Sequence, residues 1–260
     1  MTLPNKKVLI TGCLDGGMGA ALAVAYHNAG FYVYATTRNP AKMEALGAKE
    51  IETLALDVLS ETSIATAVSH YLMPIADINI AEAKKIYDLN VFSHIAVTQA
   101  FLPLLLKAVD ARGSSITLNQ TSVGASAMIP FQSVYNSSKA ALAMLSDSMR
   151  LELQPFGIKV VDLRTSVVQT NLTKSLQETQ RPSLPEGSIY QPAKEVVEKA
   201  LRQDDFEGQG TPTHQWAEEV VRDVMKKIPP PVIWRGESAC LARVSTKLSG
   251  LDVVEKIVRK

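Results

Sequence analysis

Residues 8–19, Val8-Leu9-Ile10-Thr11-Gly12-Cys13-Leu14-Asp15-Gly16-Gly17-Met18-Gly19, carry a β-rich run straight into a glycine-rich turn. An Ala-rich segment over residues 20–29 follows and stops at Gly30, a residue type that closes helices by accepting a left-handed backbone. Strand, tight turn, helix is an arrangement with a physical use. It delivers backbone N–H groups and a helix N-terminus to a pyrophosphate, and side chains in the turn would block the approach. Gly12, Asp15, Gly17, Met18 and Gly19 are therefore the candidate nucleotide-binding residues of this turn.

Working outward, further strand-like runs fall at residues 31–36, 51–56, 115–118, 159–163 and 232–234. Helical patterns stand between or after them at 138–153, 191–204 and 215–227. Strands alternating with helices read as a parallel sheet covered on both faces. The expected fold class is α/β: a Rossmann-like doubly wound parallel sheet in a three-layer α/β/α stack. One domain spans 1–260, with no internal repeat. A loop excursion over about 171–195 is marked by Pro182, Pro185, Gly187 and Pro192, and an amphipathic tail covers about 238–260.

Composition narrows the function. A net charge of +1 argues against a nucleic-acid surface, so no nucleic-acid partner is expected. Cys13 and Cys240 lack metal-type spacing, and His27, His70, His94 and His214 form no paired-ligand pattern; no metal is expected. Met1 to Lys7 lead directly into a strand-like run, which does not read as a secretory signal. The most apolar stretch, residues 95–109, is interrupted by Thr98, Gln99, Pro103 and Lys107 and reads as too short to span a bilayer.

The end of the second strand selects the nucleotide. An acidic residue there would take a ribose 2′-hydroxyl, but the sequence reads Thr36-Thr37-Arg38. A guanidinium suits a 2′-phosphate, and NADP(H) is the expected cofactor. Asp57, closing the third strand, is placed to hydrogen-bond the adenine.

Tyr135-Asn136-Ser137-Ser138-Lys139 sets a phenol and an ammonium at i and i+4 on one helix face. A cation one turn away favours tyrosinate, lowering a pKa of about 10 and fitting Tyr135 for general acid–base work. Ser122, 13 residues earlier, stands after a strand and can polarise a substrate oxygen. The chemistry expected is hydride exchange between NADP(H) and a carbonyl or alcohol.

With these motifs in this order the chain resembles the short-chain dehydrogenase/reductase family over almost its whole length. Within that family it is similar to a fungal and yeast group of 1-acyldihydroxyacetone-phosphate reductase-like enzymes. The likeness rests on residues 11–19, Phe131-Gln132-Ser133-Val134-Tyr135 and Pro230-Pro231-Val232-Ile233-Trp234-Arg235-Gly236. It implies a tetrad of Asn90, Ser122, Tyr135 and Lys139, with Asn90 holding a relay water, Lys139 holding the nicotinamide ribose, and Val168 and Thr170 contacting the carboxamide. It further implies a small hydrophobic or lipid-like ketone or secondary alcohol as substrate, in lipid or secondary metabolism. A cytoplasmic location follows from the same likeness, with peripheral contact to endoplasmic reticulum or lipid droplets and a homo-oligomer as further implied partners.

Two departures stand out. The family's usual fourth strand, ending in Asn-Asn-Ala-Gly, is missing: only 32 residues separate Asp57 from Asn90, a shortfall on the order of twenty residues. Either residues 69–73 serve as a makeshift strand, or the chain is a shortened product with unpaired central edges, which are costly. Thr165-Ser166 also replaces a pair that usually ends in glycine. Two functional readings therefore stand: a ketone reductase, and a nucleotide-binding or scaffold protein impaired by loss of the strand. In the C-terminal tail, Leu241, Val244, Leu248, Leu251 and Val254 recur at helical spacing among basic residues, reading as a packing face or a membrane-surface helix.

Overall fold

A computed structural model describes residues 6–58, 71–171, 182–206 and 208–248. Its strands form two parallel three-stranded half-sheets. One has the order β1 (Lys7–Thr11), β2 (Tyr32–Thr37), β3 (Glu52–Ala55); the other has β4 (Ser115–Gln120), β5 (Ile158–Thr165), β8 (Val232–Arg235). Register sets Ile10 beside Ala35, Leu118 beside Val161, and Leu163 beside Ile233. A short parallel pair, β6 (Val168–Gln169) and β7 (Thr211–Pro212), stands apart.

The helices are α1 (Met18–Asn28), α2 (Glu44–Gly47), α3 (Ile80–Tyr87), α4 (Ser93–Arg112), α5 (Ser133–Leu153), α6 (Lys194–Arg202), α7 (Thr213–Val224) and α8 (Ala239–Leu248). α1 packs on α7, while α5 covers β5 and β4 and α4 lies against β4. The result is the expected three-layer α/β/α stack. One apolar cluster joins both half-sheets: Val33 and Ala35 from one, Val161, Leu163 and Ile233 from the other, with Trp216 and Val220 of α7. Small side chains on α1, Ala20, Ala23 and Ala25, let that helix approach the core closely. The helix ends where Gly30 turns left-handed, and Gly113 does the same for α4.

The expected makeshift strand does not form across its described part. Tyr71, Leu72 and Met73 are irregular, with the Met73 amide donating to the Phe131 carbonyl at 2.9 Å; residues 69 and 70 lie outside the described residues. Among the described residues no ladder joins β1 and β4. Helix α5 begins at Ser133 rather than at 138, so Tyr135 and Lys139 both lie within it. The apolar stretch 95–109 is part of a longer helical run, Ile80–Arg112, which is long and apolar enough by length and composition to cross a membrane. Residues 182–190 of the loop excursion are irregular, and 172–181 and the tail beyond 248 fall outside the described residues.

Leu163 is fully buried in β5, whereas Ile228 is 81% exposed. Leu163→Ala should lower unfolding free energy by about 2–5 kcal/mol in urea titration, and Ile228→Ala by less than about 0.5 kcal/mol.

Candidate active site

The nucleotide turn lies on the first half-sheet. Gly12 and Gly16 both have φ of +73°, the left-handed region in which glycine is unstrained. A Cβ on Gly19 would meet the Gly12 carbonyl oxygen at 2.6 Å, so the start of α1 sits against the turn only because Gly19 lacks one. Gly17 caps α1 without any side-chain hydrogen bond, leaving the first-turn amides of the helix facing outward. That is the donor set a pyrophosphate needs, and the turn fits a dinucleotide. Arg38 follows β2 directly and is exposed, and Asp57 lies two residues beyond β3, also exposed.

Two of these turn residues also make contacts within the chain. The Asp15 carboxylate accepts the Ala45 amide at 3.2 Å, bracing the turn against α2. Met18 Sδ lies 3.7 Å from Gln120 Nε2, on the other half-sheet. Val168 is buried in β6, and Thr170 follows that strand. Their neighbour Asn171, not foreseen, reaches across to the Asp15 carbonyl at 3.2 Å, and a Cβ on Gly16 would fall 2.2 Å from its Nδ2.

The catalytic candidates cluster on the second half-sheet. Ser122 follows β4 and caps a short turn, its hydroxyl accepting the Gly124 amide at 3.0 Å. It also hydrogen-bonds Tyr135 in the first turn of α5. Lys139 lies one turn further on, with Nζ 5.9 Å from the centre of the Tyr135 ring and donating to the Gln120 carbonyl at 3.0 Å. Asn90 is buried in a π-helical turn, Asp88–Phe92, between α3 and α4. Such turns often mark functional sites because the wider coil redirects one side chain. Here it sends Asn90 Nδ2 to Ser138 Oγ at 3.0 Å, and that hydroxyl in turn donates to the Tyr135 carbonyl at 2.7 Å. All four tetrad candidates thus meet around the start of α5.

Sequence reasoning missed the residues that hold this cluster in place. Ser138 links Asn90 to α5. Asn136 braces the loop between Ser122 and α5: its Oδ1 lies 2.5 Å from where a Gly124 Cβ would be, and its amide approaches the Ile129 carbonyl at 3.4 Å. Gln120 joins three parts by accepting from Lys139, contacting Met18 and donating to Thr165 Oγ1 at 2.9 Å. Spacing alone gave no signal for these: Ser138 and Gln120 act on residues distant in sequence, and Asn136 on a loop whose path no spacing encodes.

The electrostatics differ from the expectation on one point. Burial pushes the Tyr135 phenol up, and the hydrogen bond with Ser122 only partly offsets it, so proximity to Lys139 does not lower it on balance. A phenol held up in this way remains a proton donor at neutral pH. Burial lowers Lys139 to about 8, opposed by the carboxylate of Asp162. That aspartate is fully buried, receives Arg164 Nε at 2.8 Å, and is hydrogen-bonded by Thr121. His94, on α4, is pushed down to about 4 by burial and by the Lys139 charge, while its Nδ1 lies 3.2 Å from Asn119 Oδ1. Ser166 sits in ordinary backbone, its amide donating to the Arg235 carbonyl at 2.9 Å; the left-handed position falls at Gly236 instead.

A family model for short chain dehydrogenases matches residues 70–181. A short-chain dehydrogenase/reductase of Pestalotiopsis microspora is 48% identical, with 100% of this chain and 99% of that protein covered. The chain belongs to the short-chain dehydrogenase/reductase family. It is also 32% identical to an NADPH-dependent 1-acyldihydroxyacetone phosphate reductase of Schizosaccharomyces pombe, over 94% of this chain and 90% of the other. In structure it is similar to a short-chain dehydrogenase from Streptomyces avermitilis, with a TM-score of 0.75, 22% identity, and coverage of 100% and 99%. The Pestalotiopsis pairing extends over 286 positions against 260 residues here, leaving 26 with no counterpart in this chain. As a short-chain dehydrogenase/reductase the chain is an oxidoreductase that uses a nicotinamide cofactor.

Because Lys139 titrates near 8, its ammonium is lost as pH rises through that value. In pH-rate profiles kcat/KM should fall above about pH 8. Asp162→Asn, which removes the group raising Lys139, should move that falling limb to lower pH.

Proposed function

We propose that the chain is an NADPH-dependent reductase converting a ketone on a hydrophobic or lipid-like metabolite to a secondary alcohol. The observation that carries this reading is the hydrogen-bonded pair Ser122–Tyr135 with the buried ammonium of Lys139 one helical turn on. Ser122 holds the substrate oxygen, and Tyr135 gives that oxygen its phenolic proton. Lys139 stabilises the resulting tyrosinate, and Asn90, tied to α5 through Ser138, leads toward the route by which the proton is restored. The bound cofactor supplies the hydride that the carbonyl carbon accepts. Arg38, exposed directly after β2, supports a preference for the 2′-phosphate. The name of the Schizosaccharomyces relative supports both the cofactor preference and a lipid-like substrate.

An apolar group of Leu72, Leu184, Val197 and Leu201, with Phe131 and Tyr190 packed against it, lies next to the start of α5. Phe131 stands four residues before Tyr135 at a left-handed φ of 63°, its ring 6.0 Å from that of Tyr190 and edge-on to it. A strained aromatic residue beside a catalytic candidate suits a wall for an apolar substrate. The likeness to fungal relatives supports a role in fungal lipid or secondary metabolism, with the cytoplasm or a membrane surface as the proposed location.

The break between the half-sheets favours a second reading, a nucleotide-binding protein without turnover. NADPH and a panel of hydrophobic ketones decide between them. The reductase reading expects NADPH consumption that Tyr135→Phe lowers by about 100-fold or more. It also expects Arg38→Ala to raise the KM for NADPH by about tenfold while leaving that for NADH unchanged. A melting temperature raised by NADPH with no ketone converted supports the second reading instead.

A further inference from the structure

Strand β5 lies between β4 and β8, and a parallel strand in that place is expected to be apolar on both faces. Alternation sends Val161 and Leu163 into the core shared with α7. It turns Asp162 and Arg164 to the opposite face, where α5 packs. A carboxylate at that depth is costly unless it is paired. Asp162 is fully buried; the Thr121 hydroxyl donates to its Oδ1 and Arg164 Nε donates to its Oδ2 at 2.8 Å. Its charge also acts on Lys139 of α5. Register accounts for that proximity. Asp162 stands beside Asn119 of β4, and the next residue, Gln120, offers its carbonyl to Lys139 Nζ at 3.0 Å.

Arg164 does more than neutralise this carboxylate. One of its terminal nitrogens donates to Ser126 Oγ at 2.7 Å, just past the turn that Ser122 caps. Its Cζ lies 4.9 Å from the centre of the Trp234 ring, and Trp234 is its register partner on β8. A planar guanidinium clamped in this way holds the carboxylate in a fixed direction, which a flexible ammonium would not.

We propose that Arg164 is a positioning residue for Lys139: it shares the Asp162 carboxylate and so sets how strongly that carboxylate draws on the Lys139 ammonium. The titratable groups facing Lys139 are the Tyr135 phenol on its own helix, His94 from α4 and Asp162 from β5. Of these, Asp162 is the group that Arg164 binds. A carboxylate shared with no guanidinium favours the ammonium more strongly, so loss of Arg164 raises Lys139 and loss of Asp162 lowers it. The consequence for turnover rests on the reductase reading, whereas the titration of Lys139 does not.

The test follows Lys139 by NMR in the full 260-residue chain labelled with carbon-13 at lysine Cε, with Lys139→Arg assigning the signal. Arg164→Met keeps an aliphatic stem on Trp234 and should raise the Lys139 midpoint by about one pH unit. Arg164→Lys, which keeps the charge, should bring it back toward that of the unaltered protein. Asp162→Asn should lower it. The double variant Asp162→Asn/Arg164→Met leaves no buried charge unpaired, which keeps the measurement open if Arg164→Met does not fold. It should titrate together with Asp162→Asn, because Arg164 acts through that carboxylate. A midpoint that Arg164→Met leaves in place or lowers overturns the proposal, as does a double variant that departs from Asp162→Asn. In ketone reduction, the falling limb of kcat/KM should follow the same midpoints. Midpoints that move as stated while no ketone is converted support the role of Arg164 and overturn the reductase reading alone.

Discussion

An inner strand of a parallel sheet has two rows of backbone donors and acceptors, and each row needs a partner once water is excluded. Among the described residues β1 and β4 each have one row paired. Much of what is unusual in this chain follows from that. β1, which should lie deepest, buries none of its residues, and β4 keeps its three central residues half-exposed. Helix α4, twenty residues long and largely apolar, buries only Ser93, as expected of a helix whose supporting layer is incomplete.

The break also divides the site by function. The glycine turn, Arg38 and Asp57 stand on the β1–β2–β3 half, and Ser122, Tyr135, Lys139 and Asn90 stand around the β4–β5–β8 half. A dinucleotide reaching from one to the other has its adenosine end and its reacting end on separate ladders. What ties them is side-chain and helix packing: Gln120 with Met18, Asn171 with the Asp15 carbonyl, and α1 with α7. Each half is internally well ordered. Lys139 is pinned by a backbone carbonyl, Asn90 by Ser138, and the turn by Gly19, where a Cβ would meet the Gly12 carbonyl oxygen. Catalysis depends on holding reacting groups in register, and among the described residues that register is carried between the halves by these contacts.

The sequence made the parts legible more readily than their connection. The strand at residues 8–11, the glycine turn and the Tyr135/Lys139 pair could be read because each is local: a period, a turn requirement, a helical spacing. The thirty-two residues between Asp57 and Asn90 signalled a lost strand by length alone. What length could not say was how the chain responds. Among the described residues it leaves Tyr71–Met73 irregular and directs the Met73 amide to the Phe131 carbonyl. Ser138 and Gln120 were unreadable for a related reason, since their partners Asn90, Lys139 and Thr165 lie far along the sequence. The Tyr135 phenol showed the same limit: its spacing to Lys139 was correct, but burial, which spacing does not encode, sets its direction.

Amide hydrogen exchange resolved along β1 and β4 tests the central claim, that the sheet is interrupted between them. The outward-facing amides of residues 7–11 and 115–120 should exchange much faster than those of β2 and β5, whose ladders are complete on both sides. Uniform protection across β1, β2, β4 and β5 would contradict it.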